Sequence, residues 1–433
     1  MRILRYCKKF EIWFLILELM ALISRSVIFY DLLPAYIDSI IFSCVAILGL
    51  CVANLNFFYS KNFTNSNNFK LLLFFYFSII ISCIFNSKFG FTGNLKELVW
   101  VSINIFLLYH NYKINSKNII FIQNLLVIIW LICSFFSLIT FIFQISSFLS
   151  LKIGYIDSRL FGIFGNPNNA SKISLITVIF SFFNLSIKNQ KNFLKVIYKI
   201  NIFIQVIYII FSGSRVTFLA FLLLSLIYSF FHFYEIYKKV LLPVSLAILN
   251  CLVLYLILEI VKFCFSYIPY LVDDLINSRP IELRKISTSR IDLKSSGDIS
   301  NLRFKIWTGA LEIFKKSWFF GTSPRNVIKY AENLNPKNFI VAYNYRLLHN
   351  TYIGSLIYTG VLGSIFIFTF FIKSILNIFK KMFNFKYNIE RHLFHSLSLS
   401  VIGIFFYGIF ETEILFVNTI CCYLFWVLLG FLS

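Results

Sequence analysis

The sequence predicts an all-α, polytopic transmembrane helical bundle of about twelve spans with one long polar segment. Three observations predict it. The chain of 433 residues is 59% hydrophobic and only 13% charged, too little polar surface for an exterior of that size to face water. Apolar runs of about 20 residues, the length that crosses a hydrocarbon core, recur from end to end. Lysines and arginines collect in every second short connector, as the positive-inside rule arranges them. The formal charge of +22 is thereby read as orientation, and nucleic acid is not an expected partner.

The basic start "MRILRYCKKF" resembles a signal peptide's opening, but no small-residue cleavage site follows and the apolar run continues through Arg25. An uncleaved first span near 11–30 is expected. Further spans are expected near 36–58, 70–86, 95–110, 118–149, 170–187, 196–211, 215–234, 240–265, 349–379, 392–410 and 413–432. The fifth is long for a membrane and should tilt or extend beyond it. Lys61 with Lys70, Lys113 with Lys117, "KNQKNFLKVIYK", Lys238 with Lys239, and Lys380, Lys381, Lys386 with Arg391 mark one side. The turns "DLLPAYID", "GSR" and "ETE" mark the other. Both termini are expected in the cytoplasm, in a cytoplasmic (inner) membrane, with residues 266–348 outside. The chain then divides into spans one to nine (1–265), a large extracytoplasmic loop (266–348) and spans ten to twelve (349–433). The nine cysteines lie in or beside apolar runs, so neither a disulfide framework nor a Cys-based metal site is expected.

Within the long polar segment, "RPIELRKISTSRIDLKSSGDIS" carries Ser, Asp and Gly punctuation and is expected to be mobile. The next stretch, "NLRFKIWTGALEIFKKSWFF", puts Leu302, Ile306, Ala310 and Ile313 near one helical face, with Asn301 as its N-cap. An amphipathic helix at the outer interface is expected.

Four polar motifs fall on the expected outer side. These are "DSRLFGIFGNPNNASK" with Arg159, "FSGSRVTF" with Arg215, Arg303 at the start of the amphipathic helix, and "RLLHN" with Arg346, His349 and Asn350. Taken singly, each has an ordinary reading. An arginine near a membrane boundary snorkels, "GNPNN" is a turn, Trp307 and Trp318 are interfacial anchors, and a histidine at a helix entrance is structural. Together they suit a lipid-linked phosphate. Guanidinium groups grip phosphate oxygens in pairs and keep their charge, and an imidazole can accept a proton from a sugar hydroxyl.

"HNTYIGSLIYTGVLG" at 349–363, preceded by the three arginine motifs in order, resembles the Wzy-type polysaccharide polymerases and O-antigen ligases of bacteria. The resemblance spans 157–365. It departs at "SWFFGTSPRN", where Ser323 stands in place of the second glycine of a Gly-x-Gly turn. It implies a GT-C-like fold and a metal-independent glycosyltransferase, inverting at the anomeric carbon, with no cofactor. The donor would be a polyprenyl-pyrophosphate-linked oligosaccharide, and a chain-length regulator and a flippase could be further partners. By the same resemblance Arg215 and Arg303 hold the donor pyrophosphate, and His349 activates the acceptor hydroxyl. Arg159, Arg346 and Asn350 are auxiliary phosphate or glycan contacts. Thr351, on a different helical face from His349, is expected to matter less. Glu411 and Glu413 are expected to be solvated rather than to touch sugar. A polymerase of lipid-linked repeat units is favoured over a ligase that transfers the glycan to lipid A core. A flippase or other transporter is disfavoured, because the two halves show no internal repeat.

Overall fold

The computed structural model describes residues 2–59, 67–110, 115–187, 190–280, 282–288, 300–384 and 389–433. Helix α1 (Arg2–Ser26) packs on α2 (Ala35–Tyr59). Helix α3 (Asn67–Phe85) follows, and α4 (Thr92–Ile103) runs on into a π-helical stretch, Asn104–Tyr109. After α5 (Ser116–Ile142), strands β1 (Ser147–Phe148) and β2 (Leu151–Lys152) pair antiparallel, as do β3 (Gly154–Ile156) and β4 (Arg159–Gly162). Four helices come next: α6 (Pro167–Leu185), α7 (Asn192–Phe211), α8 (Arg215–Tyr237) and α9 (Leu241–Phe265). The long polar segment contributes α10 (Ile268–Ile276), α11 (Arg303–Ser317), α12 (Val327–Leu334) and α13 (Phe339–Ala342). The chain finishes with α14 (Thr351–Asn384), α15 (Ile389–Phe410) and α16 (Ile420–Leu432). Most of the stretch expected to be mobile, 281 and 289–299, lies outside the described residues, as do Lys61, Lys113, Lys188 and Lys386.

This is an all-α polytopic membrane protein. Among the described residues, eight helices are long and apolar enough to cross a membrane by length and composition: those beginning at Ala35, Asn68, Ser116, Asn192, Arg215, Leu241, Thr351 and Arg391. Each of the twelve expected spans contains a helix, but not every one has the length or apolarity first assigned to it. Helix α6 is enclosed by neighbours and carries Ser171, Lys172, Ser174, Thr177, Ser181 and Asn184 buried. A helix that meets protein on all sides need not match lipid. The twelfth span is a correction: residues 411–419 form an irregular buried loop, leaving α16 only 13 residues. The fifth is another, for α5 stops at Ile142 and the chain reverses at Gln144, in the left-handed region at φ 50°.

Alternate connectors gather at one end of the bundle, as the lysine alternation requires. Ile28 N donates to Ile163 O and Gly165 N to Ser26 O, tying the first connector to the hairpins. Gln144 reaches Pro269 O, Tyr155 Oη reaches Ser287 O, and Asn326 Nδ2 donates to Asn86 O. The long polar segment therefore packs on the same end as the turns before α2, α4, α6 and α8.

Helix α11 buries Ile306, Gly309, Ala310 and Ile313, the face that the sequence marks as apolar. That face meets α13 and α14 instead of lipid. The cap differs from expectation: Leu302 occupies the N-cap position with no side-chain bond, and both Asn301 (φ 54°) and Leu302 (φ 65°) are left-handed. Beyond α11 the chain inserts into α14, which is broken at Gly360 (φ 65°). Val361 N donates to Trp318 O at 2.8 Å, Thr322 N to Ile357 O at 2.8 Å and Ser323 N to Tyr358 O at 3.0 Å. Ser82 Oγ satisfies the Tyr358 carbonyl as well. Backbone groups freed by a break at membrane depth must find such partners. A Cβ on Gly360 would stand 2.1 Å from Phe319 O, so this position demands glycine. Ser323, where the resembled families have glycine, keeps the glycine-like conformation at φ 64°.

Candidate active site

The end of the bundle that collects the connectors holds His349 in an unusual backbone setting. Its φ is 47°, a conformation that costs a side-chain-bearing residue free energy and that needs surrounding constraints to persist. Three are visible. Trp307 Nε1, on α11, donates to Leu348 O at 3.1 Å. Tyr358 Oη donates to Arg346 O at 3.2 Å. Asn350 Oδ1 accepts from Tyr352 N and Ile353 N, both at 2.9 Å, and so caps α14. Asn350 is buried and its oxygen is spent on the helix, which makes it a support of the histidine turn.

The imidazole meets a carboxylate. His349 Nδ1 lies 2.8 Å from Glu411 Oε2, and Arg303 Nη2 donates to Glu411 Oε1 at 2.6 Å. The expectation of a solvated Glu411 is corrected here: its side chain is 14% exposed, against 35% for His349. Burial opposes its ionisation, but the hydrogen bond from His349 and the positive charges of Lys172, His349 and Arg303 outweigh that and hold its pKa down at about 2. Glu411 is an ionised acceptor, so Nδ1 must carry the proton that it shares with the carboxylate. The neutral ring then has its lone pair on Nε2.

Glu413 is likewise buried. It accepts from Lys172 Nζ at 2.5 Å and from Thr419 Oγ1 at 3.1 Å. Thr351 binds both acidic residues through the backbone: its hydroxyl donates to Glu411 O and accepts from Glu413 N, each at 3.1 Å. One residue beyond the cap, its side chain thus faces the 411–419 loop.

Arg159 lies across the other wall of this end. Its Nε donates to Ser212 O at 2.9 Å and its Nη2 to Asn168 Oδ1 at 2.5 Å, fixing the hairpin on the "SGSR" turn. Arg215 opens α8 and lines a pocket of 400 Å³ with Tyr155, Ser158, Gly213, Ser214 and Lys262. Neither Arg303 nor His349 lines that pocket. Arg346 instead faces a larger cavity of 810 Å³. The structure thus joins His349 and Arg303 through Glu411 and binds Arg159 to the Arg215 turn, and it sets Arg346 apart from both. Ser171, hydrogen-bonded to Thr217 of α8 and preceding Lys172, links the Arg215 turn to the acidic loop.

A family model described as O-antigen ligase matches residues 200–368. Over this segment, which is less than half of the chain, it is similar to the Wzy-type polymerase and O-antigen ligase superfamily. No curated protein matches the chain. The matched segment runs from α7 into α14 and contains Arg215, Arg303, Arg346 and His349. The match supports, in general terms, a membrane-embedded, glycan-transferring enzyme of O-antigen ligase or related polymerase type. Arg159, Lys172, Glu411 and Glu413 lie outside the matched segment, yet Arg159, Glu411 and Glu413 bind residues within it, and Lys172 holds Glu413. Sequence reasoning missed Lys172, Glu411 and Glu413 as parts of the site. The available signal was a lysine inside an apolar run, and two acids between apolar runs, both costly unless paired.

Proposed function

We propose that this protein joins polyprenyl-pyrophosphate-linked oligosaccharide repeat units at the outer face of the cytoplasmic membrane, with His349 as general base. The observation that carries the reading is the Glu411 carboxylate, which engages His349 and Arg303 at once. The acceptor hydroxyl attacks the anomeric carbon of the donor as its proton passes to His349 Nε2. The glycosidic C–O bond to pyrophosphate breaks, and polyprenyl pyrophosphate leaves with the bonding electrons. Attack opposite the leaving group inverts the anomeric centre.

Arg303 spends Nη2 on Glu411, while its Nε and Nη1 have no partner among the described residues. Either of these N–H groups can donate to a phosphate oxygen. Arg215, in its own pocket, suits the second phosphate or the adjoining lipid. Arginines aimed at the leaving group offset charge that develops in the transition state, without a metal in the reading.

A ligase would use the same donor and base with a different acceptor. The test is reconstitution of the purified protein in nanodiscs with a synthetic lipid-linked repeat unit, alone or with a phosphorylated lipid A-core acceptor. Ladders of repeats from the donor alone are the expected result. Product only on the lipid A-core acceptor would make the protein a ligase, and no transfer to either would overturn the reading.

A further inference from the structure

The 810 Å³ cavity that Arg346 lines is not used by the donor chemistry above. It falls within the size that ligand sites occupy, about 300–1,000 Å³. Its lining includes Arg325, Lys329 and Arg346 from the long polar segment, with Arg25 at the end of α1. The same lining includes the aromatic side chains of Phe42, Trp100 and Trp130. Cations and apolar groups lining one cavity match a molecule with a phosphorylated head and a greasy stem.

The charges do not cancel within the wall. Arg325 is bound to Glu97, Arg25 to Asp38, and Glu413 to Lys172. Lys329 and Arg346 are exposed, and among the described residues no carboxylate pairs with either. Asn418, in the same wall, has a buried Nδ2 with no hydrogen-bond partner among the described residues. A buried amide donor without an acceptor costs free energy unless a ligand supplies one. The cavity is also coupled to the imidazole by the chain itself. Arg346 precedes His349 by three residues, and Glu413 follows Glu411 by two.

We propose that this cavity binds the acceptor: a phosphorylated glycolipid whose phosphate sits on Lys329 and Arg346 and whose sugar reaches Asn418, bringing a hydroxyl toward His349. This rests on the donor reading above, with the donor on the Arg215 and Arg303 side. One phosphate chemistry has two sources, a second prenyl-pyrophosphate-linked repeat or a phosphorylated glucosamine lipid.

Equilibrium binding in nanodiscs tests it, using a short-chain prenyl-pyrophosphate monosaccharide and a bis-phosphorylated glucosamine lipid as probes. Two sites per chain for the prenyl probe identify the first source; one site for each probe identifies the second. In either case Lys329→Glu/Arg346→Glu should weaken one site at least tenfold and leave the other within twofold. Arg215→Ala/Arg303→Ala should do the converse. Unchanged binding in the Lys329/Arg346 variant, or a single site lost only in the Arg215/Arg303 variant, overturns the acceptor assignment and leaves the donor reading standing. A single site lost only in the Lys329/Arg346 variant overturns the donor reading and, with it, the assignment of this cavity to the acceptor. Lys329→Gln alone changes an exposed side chain, so it supplies the same readout, as a smaller loss, should the double variant fail to fold.

Discussion

At the scale of single residues, the site depends on which ring nitrogen of His349 carries the proton. Glu411 fixes that choice only as an anion. Its lowered pKa means its contribution is complete above the ordinary carboxylate range and is lost as pH falls through about 2. Mild acid should therefore leave the His349–Glu411–Arg303 cluster intact, and hydrogen-exchange protection of the 411–419 loop at pH 5 should equal that at pH 7. Glu411→Gln keeps the shape but can donate to Nδ1, which favours the wrong tautomer. Its turnover should fall by about 10²-fold or more, with substrate binding largely kept. Arg303→Lys keeps the charge but loses the planar fork, so transfer should fall severely at normal protein levels. Ser323 offers a prediction of opposite sign. It is left-handed at φ 64° with a buried, unpartnered hydroxyl among the described residues. A side chain there costs about 1–2 kcal/mol, so Ser323→Gly should raise the melting temperature in detergent.

At the scale of elements, α6 and the 411–419 loop are fastened by Lys172 and Glu413. Their side chains are 1% and 5% exposed, so removing one partner strands a buried charge at a cost of about 3–5 kcal/mol. Lys172→Met should lower the melting temperature sharply and reduce transfer, because the loop also carries Glu411. Lys172→Met with Glu413→Gln should recover part of the stability, which a double-mutant cycle would measure. The helices themselves were legible in sequence, since apolar length and charged connectors report membrane crossing directly. The buried face of α11 was legible too, from the spacing of Ile306, Ala310 and Ile313. The break at Gly360 was not. "YTGVLG" reads as close helix packing, and Gly363 does pack this way: a Cβ there would meet Ser78 of α3 at 2.4 Å. Gly360 instead admits residues 318–323, a contact between segments forty residues apart that no local pattern encodes. Glu411 was misread for a related reason. Solvation is the default for an acid in a short turn, and only the fold brings His349 and Arg303 to it.

At the scale of the whole molecule, the short connectors that gather around His349 are those with fewer lysines, and the opposite end carries the basic ones. The long polar segment is itself basic, but long loops translocate regardless of charge. The account places the first group outside the cytoplasm. A reporter after Ser433 should respond as cytoplasmic and one inserted at Asn335 as external; the reverse would put the proposed chemistry on the wrong side of the membrane. The bundle supplies a lipid-facing body, and the long polar segment closes over one end and delivers Arg303, Arg346 and His349 to it. The central claim is that His349, oriented by Glu411, takes the acceptor's proton. It is tested most directly by the initial rate at which purified His349→Ala in nanodiscs extends a lipid-linked repeat, compared with wild type under identical conditions. The account predicts a loss of at least about 10²-fold, with the donor still bound and the protein melting as wild type. Extension at the wild-type rate would contradict it and leave His349 as a boundary residue of α14.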